Sequence, residues 1–358
     1  MNFPPLRLNG MVCRIPIIQG GMGVGISMAG LASAVANEGG VGVIATAMIG
    51  ISEADAAANA AEANIRALKR EIRKARTMTR GIIGVNIMVA LTHFADLVRT
   101  AVEEAVDIIF SGAGLPLDLP AYLKKDAKTK LVPIVSSARA AILICKKWLA
   151  KYNYLPDAFV VEGPKAGGHL GFKEEQLDDP DFALEKLIKE VVAAVKPLAA
   201  ERGATIPVIA AGGIYTGRDI RDILELGASG VQMGTRFAAT VECDAAPGFK
   251  QALLSAKKED LIIIKSPVGM PGRAVRNHFL DEVKKGMKKP FKCPYKCVKT
   301  CRQAESPYCI ALALAAAKNG KLKNGFAFAG SNAYRVSEIV PVKTLIASLQ
   351  EEFSLTYS

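Results

Sequence analysis

Short runs of β-branched and apolar residues recur along the first two thirds of the chain. Each is closed by glycine or a turn and followed by a longer stretch with apolar positions at helical spacing. Eight such runs are readable: CRIPIIQGG (13–21), VGVIAT (41–46), GIIGVNIMV (81–89), DIIFSGAG (107–114), LVPIVSS (131–137), AFVVEG (158–163), PVIAAGG (207–213) and GVQMGTRF (230–237). Runs this apolar suit strands covered on both faces, as in a parallel sheet packed between helices. The pattern predicts an α/β chain folded as a closed (β/α)8 TIM barrel.

The intervening segments predict helices over 27–38, 52–76, 94–105, 138–152, 182–202 and 217–226, the second of which could be two helices. Ser27 reads as an N-cap and Gly39-Gly40 as a stop. After the eighth run the pattern changes, and 238–330 reads as irregular, lysine-rich and cysteine-bearing, with a final helix near 342–352. The expected organisation is a barrel over 1–240, a basic lid or insertion over 241–335, and a C-terminal helix within 336–358 that packs back on the barrel.

The chain of 358 residues can bury a large core, and its half-hydrophobic, aromatic-poor composition suits helices packed closely on strands. Charge modifies the picture only locally. The formal balance is +12, and thirteen Lys/Arg against four Asp/Glu fall between Lys257 and Gln303. This segment fits an acidic carrier protein or CoA, and equally a solvated lysine-rich surface. Nucleic acid is not expected, because no aromatic residues interleave with the basic ones in a binding motif. No apolar stretch approaches the roughly 20 residues that cross a bilayer, and no signal-peptide core is present, so the expected location is cytoplasmic.

Several predicted strands end in glycine: Gly20-Gly21-Met22, Gly84-Val85-Asn86, Ser111-Gly112-Ala113-Gly114, Gly163, Gly212-Gly213 and Gly234-Thr235. In a barrel these ends converge on one rim, where glycine lets backbone approach a planar ring or a phosphate. The loops after strands seven and eight commonly bind phosphate in such barrels, although either glycine cluster alone also suits a tight turn. Neither a G-x-G-x-x-G before its helix nor a GxxxxGK[ST] loop is present, so any nicotinamide binds outside a Rossmann unit. Of the three histidines, His169 sits among glycines just past the sixth strand, where an imidazole can exchange a proton with a reacting ligand.

Together, PIIQGGM, GVNIMV, the EG-x-x-AGGH-x-G loop, IPVIAAGGI, GVQMGTRF and the terminal FAFAGSNAYRV segment resemble the nitronate monooxygenase and flavin-dependent enoyl-ACP reductase family. The resemblance implies FMN on the rim. Gly21 and Met22 would lie against the isoalloxazine, Asn86 would hydrogen-bond it, and Glu162 and Gly167 would contact it. Gly213, Gln232, Met233, Gly234 and Thr235 would hold the phosphate end, and His169 would act beside the substrate. Glu162 stands where many nitronate monooxygenases carry glutamine, and flavin-dependent enoyl reductases can carry glutamate there. The expected substrate is a small molecule, a nitronate or an enoyl thioester, with NAD(P)H as reductant in the enoyl or quinone reductase alternative. A non-catalytic flavin-binding or regulatory protein is the alternative of another class, and a homodimer is an open assembly state.

Three of the seven cysteines are scattered, but Cys293, Cys297, Cys301 and Cys309 form C-x3-C-x3-C-x7-C. Thiolates this dense suggest a metal centre, either a [4Fe–4S] cluster or zinc, with unligated thiols or disulfides as the alternative. The spacing matches neither the ferredoxin run nor paired C-x2-C knuckles.

Overall fold

The structure is a computed structural model and describes residues 2–289 and 293–355. A hairpin of β1 (Leu6–Leu8) and β2 (Met11–Cys13) comes first. The next strands are β3 (Ile17–Gln19), β4 (Val41–Ala45), β5 (Ile82–Met88), β6 (Ile108–Gly112), β7 (Lys130–Val135) and β8 (Phe159–Glu162). A two-residue strand, β9 (Gly168–His169), precedes β10 (Val208–Ala211) and β11 (Gly230–Met233). All eight predicted runs supply strands to one closed parallel barrel, in which β8 pairs with β10 and β11 pairs with β3.

Alternation along the strands separates two packing environments, because successive side chains point to opposite faces. Ile18, Val41, Val43, Ile108, Phe110, Val132, Val160 and Ile209 fill the barrel interior. Ile17, Ile44, Ile83, Val85, Ile109, Leu131, Phe159 and Val161 face the helices. Leu6 and Leu8 join the interior cluster, so the hairpin plugs one end. It turns through Asn9 (φ 39°) and Gly10 (φ 84°), a type I′ turn in which both central residues take positive φ. Asp157 ties this plug to the barrel: it accepts from Asn9 Nδ2 at 2.7 Å, the Leu131 amide at 2.8 Å and Tyr154 Oη at 2.6 Å.

The helices are α1 (Ala29–Asn37), α2 (Ala60–Met78), α3 (Phe94–Glu103), α4 (Ala138–Tyr152), α5 (Leu184–Ala200) and α6 (Gly217–Glu225). The expected stretch over 52–76 is one helix that begins late, at Ala60, after a series of turns. Ser27 does not cap α1. Its Oγ instead accepts from the Met22 amide at 2.9 Å, and Asp244 caps the helix from a distant loop, accepting from the amides of Met28 (2.9 Å) and Leu31 (3.1 Å). A carboxylate from elsewhere thus satisfies donors that a local side chain leaves free.

The lid is more regular than its composition suggested. After the short α7 (Thr235–Ala238) come α8 (Pro247–Leu254), an antiparallel pair β12 (Leu261–Lys265) and β13 (Pro271–Val275), α9 (His278–Lys284) and α10 (Ile310–Lys318). LIIIK is a β-branched run that makes a strand outside the barrel. Strand β13 also pairs with β9, placing Gly272 opposite His169 and Arg273 opposite Gly168. Arg273 is buried and donates to the carbonyls of Pro164 (2.6 Å) and Ala166 (2.7 Å), so the loop after β8 is bound to the lid by both backbone and side chain. Finally α11 (Val342–Ser354) packs on α6 and α1, with Glu352 accepting from the Gly217 amide at 2.6 Å. Among the described residues no helix is long and apolar enough to cross a membrane.

Candidate active site

One cavity of about 540 Å³ opens at the C-terminal ends of the barrel strands, roofed on one side by Met270, Leu314, Phe326 and Phe328 of the lid. Its size is that of sites which enclose a small molecule or cofactor. Gly21 and Met22 after β3, Asn86 on β5, and Glu162 with Gly167 and His169 around β8 and β9 all line it. So do Gly213 after β10 and Gln232, Met233, Gly234 and Thr235 at the end of β11. Residues spread over more than two hundred positions therefore share one wall. Met233 offers mainly its backbone, because its side chain packs into the outer core and its carbonyl accepts from the Gly20 amide at 2.8 Å.

Two consecutive glycines shape the end below β10. Gly212 (φ +97°) and Gly213 (φ +85°) are both left-handed, where a side chain is strained. A Cβ on Gly213 would lie 2.9 Å from Lys165 Cβ, whereas one on Gly234 would meet Met22 Sδ at an ordinary 3.6 Å. A bulky residue at Gly213 would thus collide with Lys165 first, rather than simply enter the cavity. Asn332 fixes the turn by donating to the Gly213 carbonyl at 2.6 Å, and Thr235 Oγ1 accepts from the Gly330 amide at 3.0 Å, which leaves its hydroxyl proton for a ligand. Lys165 lines the same wall and supplies positive charge. A phosphate-bearing ligand fits this cradle, in which a Cβ would take the room.

At the other end, Gly21 faces Asn86 so closely that any Cβ there would overlap Asn86 Cβ. Glu162 ends β8 with its carboxyl in the cavity wall. Burial pushes this carboxyl up to about 7, because the charged form is denied water and no cation offsets it. Near neutral pH it is therefore divided between its protonated and ionised forms, and can give up or take a proton there. Beyond it, His169 Nε2 lies 2.7 Å from Ser266 Oγ, and the Phe328 ring sits 5.1 Å away in an edge-on arrangement. Burial pulls this imidazole down to about 4, so it is neutral at physiological pH.

Lys165, Ser266, Phe328 and Asn332 were not singled out by the sequence reading. Lys165 stands inside the glycine-rich loop that was, and Phe328 and Asn332 belong to the FAFAGSNAYRV segment. Ser266 carried no local signal, since it meets His169 across 97 positions.

The lid cysteines gather elsewhere. Cys297 and Cys309 pack against Val24, Met48 and Ala311, and Val24 also lines the cavity. Burial, and then the neighbouring thiols of Cys309, Cys293 and Cys301, push the Cys297 thiol up to about 12. None of the four forms a disulfide. The four lie in one thiol-rich corner of the lid, and among the described residues no group of three or more His, Cys, Asp or Glu side chains is placed to hold a metal ion.

The family model described as nitronate monooxygenase matches residues 7–352, through the barrel and the lid. The chain belongs to this family. It is 31% identical over 273 residues to a 5-hydroxy-7a-methyl-1-oxo-octahydro-1H-indene-4-carboxyl-CoA dehydrogenase of Mycobacterium tuberculosis, a match that covers 76% of the chain and 66% of that relative, just under two thirds of its length. It is 28% identical over 304 residues to a probable nitronate monooxygenase of Staphylococcus aureus, covering 75% and 77% respectively. Among solved structures, FabK from Thermotoga maritima superposes with a TM-score of 0.72 at 30% identity, covering 95% of the chain and 93% of FabK. A nitroalkane oxidase of Streptomyces ansochromogenes, at 24% identity, TM-score 0.72 and 96% coverage of both chains, shares the fold.

Proposed function

We propose that the protein is an FMN-dependent oxidoreductase that oxidises alkyl nitronates, with dioxygen as terminal acceptor. The observation that supports this most directly is the convergence of the glycine cradle, Glu162 and the neutral His169 on one cavity. Gly212, Gly213, Gly234, Thr235 and Lys165 would hold the phosphate end of the cofactor. Gly21, Met22, Asn86, Glu162 and Gly167 would flank its ring. FMN bound there supplies reversible two-electron redox chemistry. The chain's own part is to orient the ring, exclude water beneath Phe326 and Phe328, and set a hydrogen-bonding histidine beside the reacting carbon.

A second reading, reduction of an enoyl thioester with NAD(P)H as reductant, has its own support. Glu162 stands in place of glutamine, a relative is a carboxyl-CoA dehydrogenase, and the 257–303 segment is basic enough to attract CoA or an acidic carrier. The test is the spectrum of the purified protein under anaerobic conditions. Bleaching of a flavin band by an alkyl nitronate, reversed by oxygen, supports the first reading. Bleaching by NAD(P)H, reversed by an enoyl thioester, transfers the assignment to the second. A flavin that neither reduces leaves a binding protein.

A further inference from the structure

Ser266 follows the last residue of β12 and is only 3% exposed. Two contacts reach its hydroxyl oxygen: His169 Nε2 at 2.7 Å, and the Val268 amide, which donates at 3.4 Å. An amide N–H can only donate, so the serine proton must go elsewhere. A buried hydroxyl proton left without an acceptor loses its bond to water and gains nothing in return, so it must find a partner. Among the described residues the acceptor within hydrogen-bond distance is His169 Nε2. If Nε2 carried the imidazole proton instead, two donors would meet the same oxygen and the serine proton would be stranded.

We infer that Ser266, a residue of the lid, holds His169 as the Nδ1–H tautomer, so that the histidine presents a neutral N–H donor to an oxygen of the substrate that carries or gains negative charge. Ser266 is the positioning residue and His169 the residue that meets the substrate. Nothing else in the described structure hydrogen-bonds the imidazole, and the Phe328 ring holds its orientation without a polar contact. The histidine sits in the cavity wall, so Nδ1 is the nitrogen left for a ligand. A neutral imidazole whose proton-accepting nitrogen is occupied by a hydroxyl is poorly suited to shuttle protons. It is suited to stabilise an oxyanion, in the manner of an oxyanion-hole donor. The substrate class this favours has an oxygen conjugated to the carbon that is oxidised or reduced. A nitronate has such an oxygen, and so does the enolate of a thioester. That substrate class rests on the oxidoreductase reading above, whereas the tautomer rests on the Ser266 contacts alone.

The test is nitrogen NMR of the full chain labelled with 15N-histidine, with His169→Ala used to assign the signals. The expected result is a protonated, pyrrole-type Nδ1 and an unprotonated, pyridine-type Nε2 for His169. Ser266→Ala should release the ring toward the Nε2–H form and lower kcat/KM about 10- to 100-fold, as loss of a partner that orients a functional imidazole typically does. Ser266→Thr, which keeps the hydroxyl, should restore both tautomer and turnover. A wild-type His169 protonated at Nε2 overturns the inference, and so does a tautomer unchanged in Ser266→Ala. The expected tautomer in a protein that turns over neither nitronates nor enoyl thioesters supports the role of Ser266 and overturns the proposed function instead.

Discussion

Gly213 faces Lys165 in the cavity lining so closely that it has no room for a side chain: a Cβ would lie 2.9 Å from Lys165 Cβ, on a backbone at φ +85°. The left-handed conformation alone costs a non-glycine residue about 1–2 kcal/mol. Gly213→Ala should therefore distort the turn and lower the ratio of bound flavin to protein after desalting. Full occupancy in the Gly213 variant would show that this turn does not hold the phosphate end.

His169→Ala should keep the flavin, because the cradle is built from other residues, while kcat/KM falls about 10²- to 10³-fold, the loss typical of one donor to a developing oxyanion. Steady-state kinetics with nitronates and enoyl thioesters provide the measurement. Unchanged turnover across both sets would remove the histidine from the reaction.

Glu162 makes stability depend on pH in a defined direction. Its carboxyl is raised by burial from 4.5 to about 7, so between those values the folded state keeps a proton that the unfolded chain releases. Stability from this group is therefore full below the unfolded value and falls as pH rises toward 7. Glu162→Gln removes the ionisation. In flavin-free protein, the melting temperature of this variant relative to wild type should climb between pH 4.5 and 7 and level off above. A constant offset would mean that the carboxyl ionises as it does in water.

Asp157 predicts a loss of stability separate from function. Asp157→Ala leaves Asn9, Tyr154 and the Leu131 amide without their acceptor, at a cost of about 3 kcal/mol. Urea unfolding should show that loss. Turnover per folded molecule should stay the same, since the residue lies at the plugged end of the barrel, away from the cavity.

The barrel was readable because its strands are continuous β-branched runs, and a run such as VGVIAT has few stable places other than a covered parallel sheet. The rim was readable because glycine and histidine are costly or reactive enough to stand out. Contacts between residues far apart in the chain were not. Ser266 acts on a histidine 97 residues away, and Asp244 caps a helix more than two hundred residues before it. Each is an ordinary polar residue locally. The hairpin plug is obscured in the sequence although Asn9-Gly10 is a strong local turn signal, because the run beginning at Cys13 merges with the strand before it. LIIIK is hidden in the sequence because the density of lysine around it outweighs its β-branched core.

The pairing of β9 with β13 bears on how relatives can exchange parts. The loop that carries His169 belongs by chain order to the barrel, yet it is hydrogen-bonded as the third strand of the lid's sheet and held there by Arg273. A chimera that transplants the lid alone would join one parent's Ser266 and Arg273 to another parent's loop, and mismatch the two halves of a single sheet. The transferable unit is discontinuous: the lid together with residues 164–171, taken as one cassette.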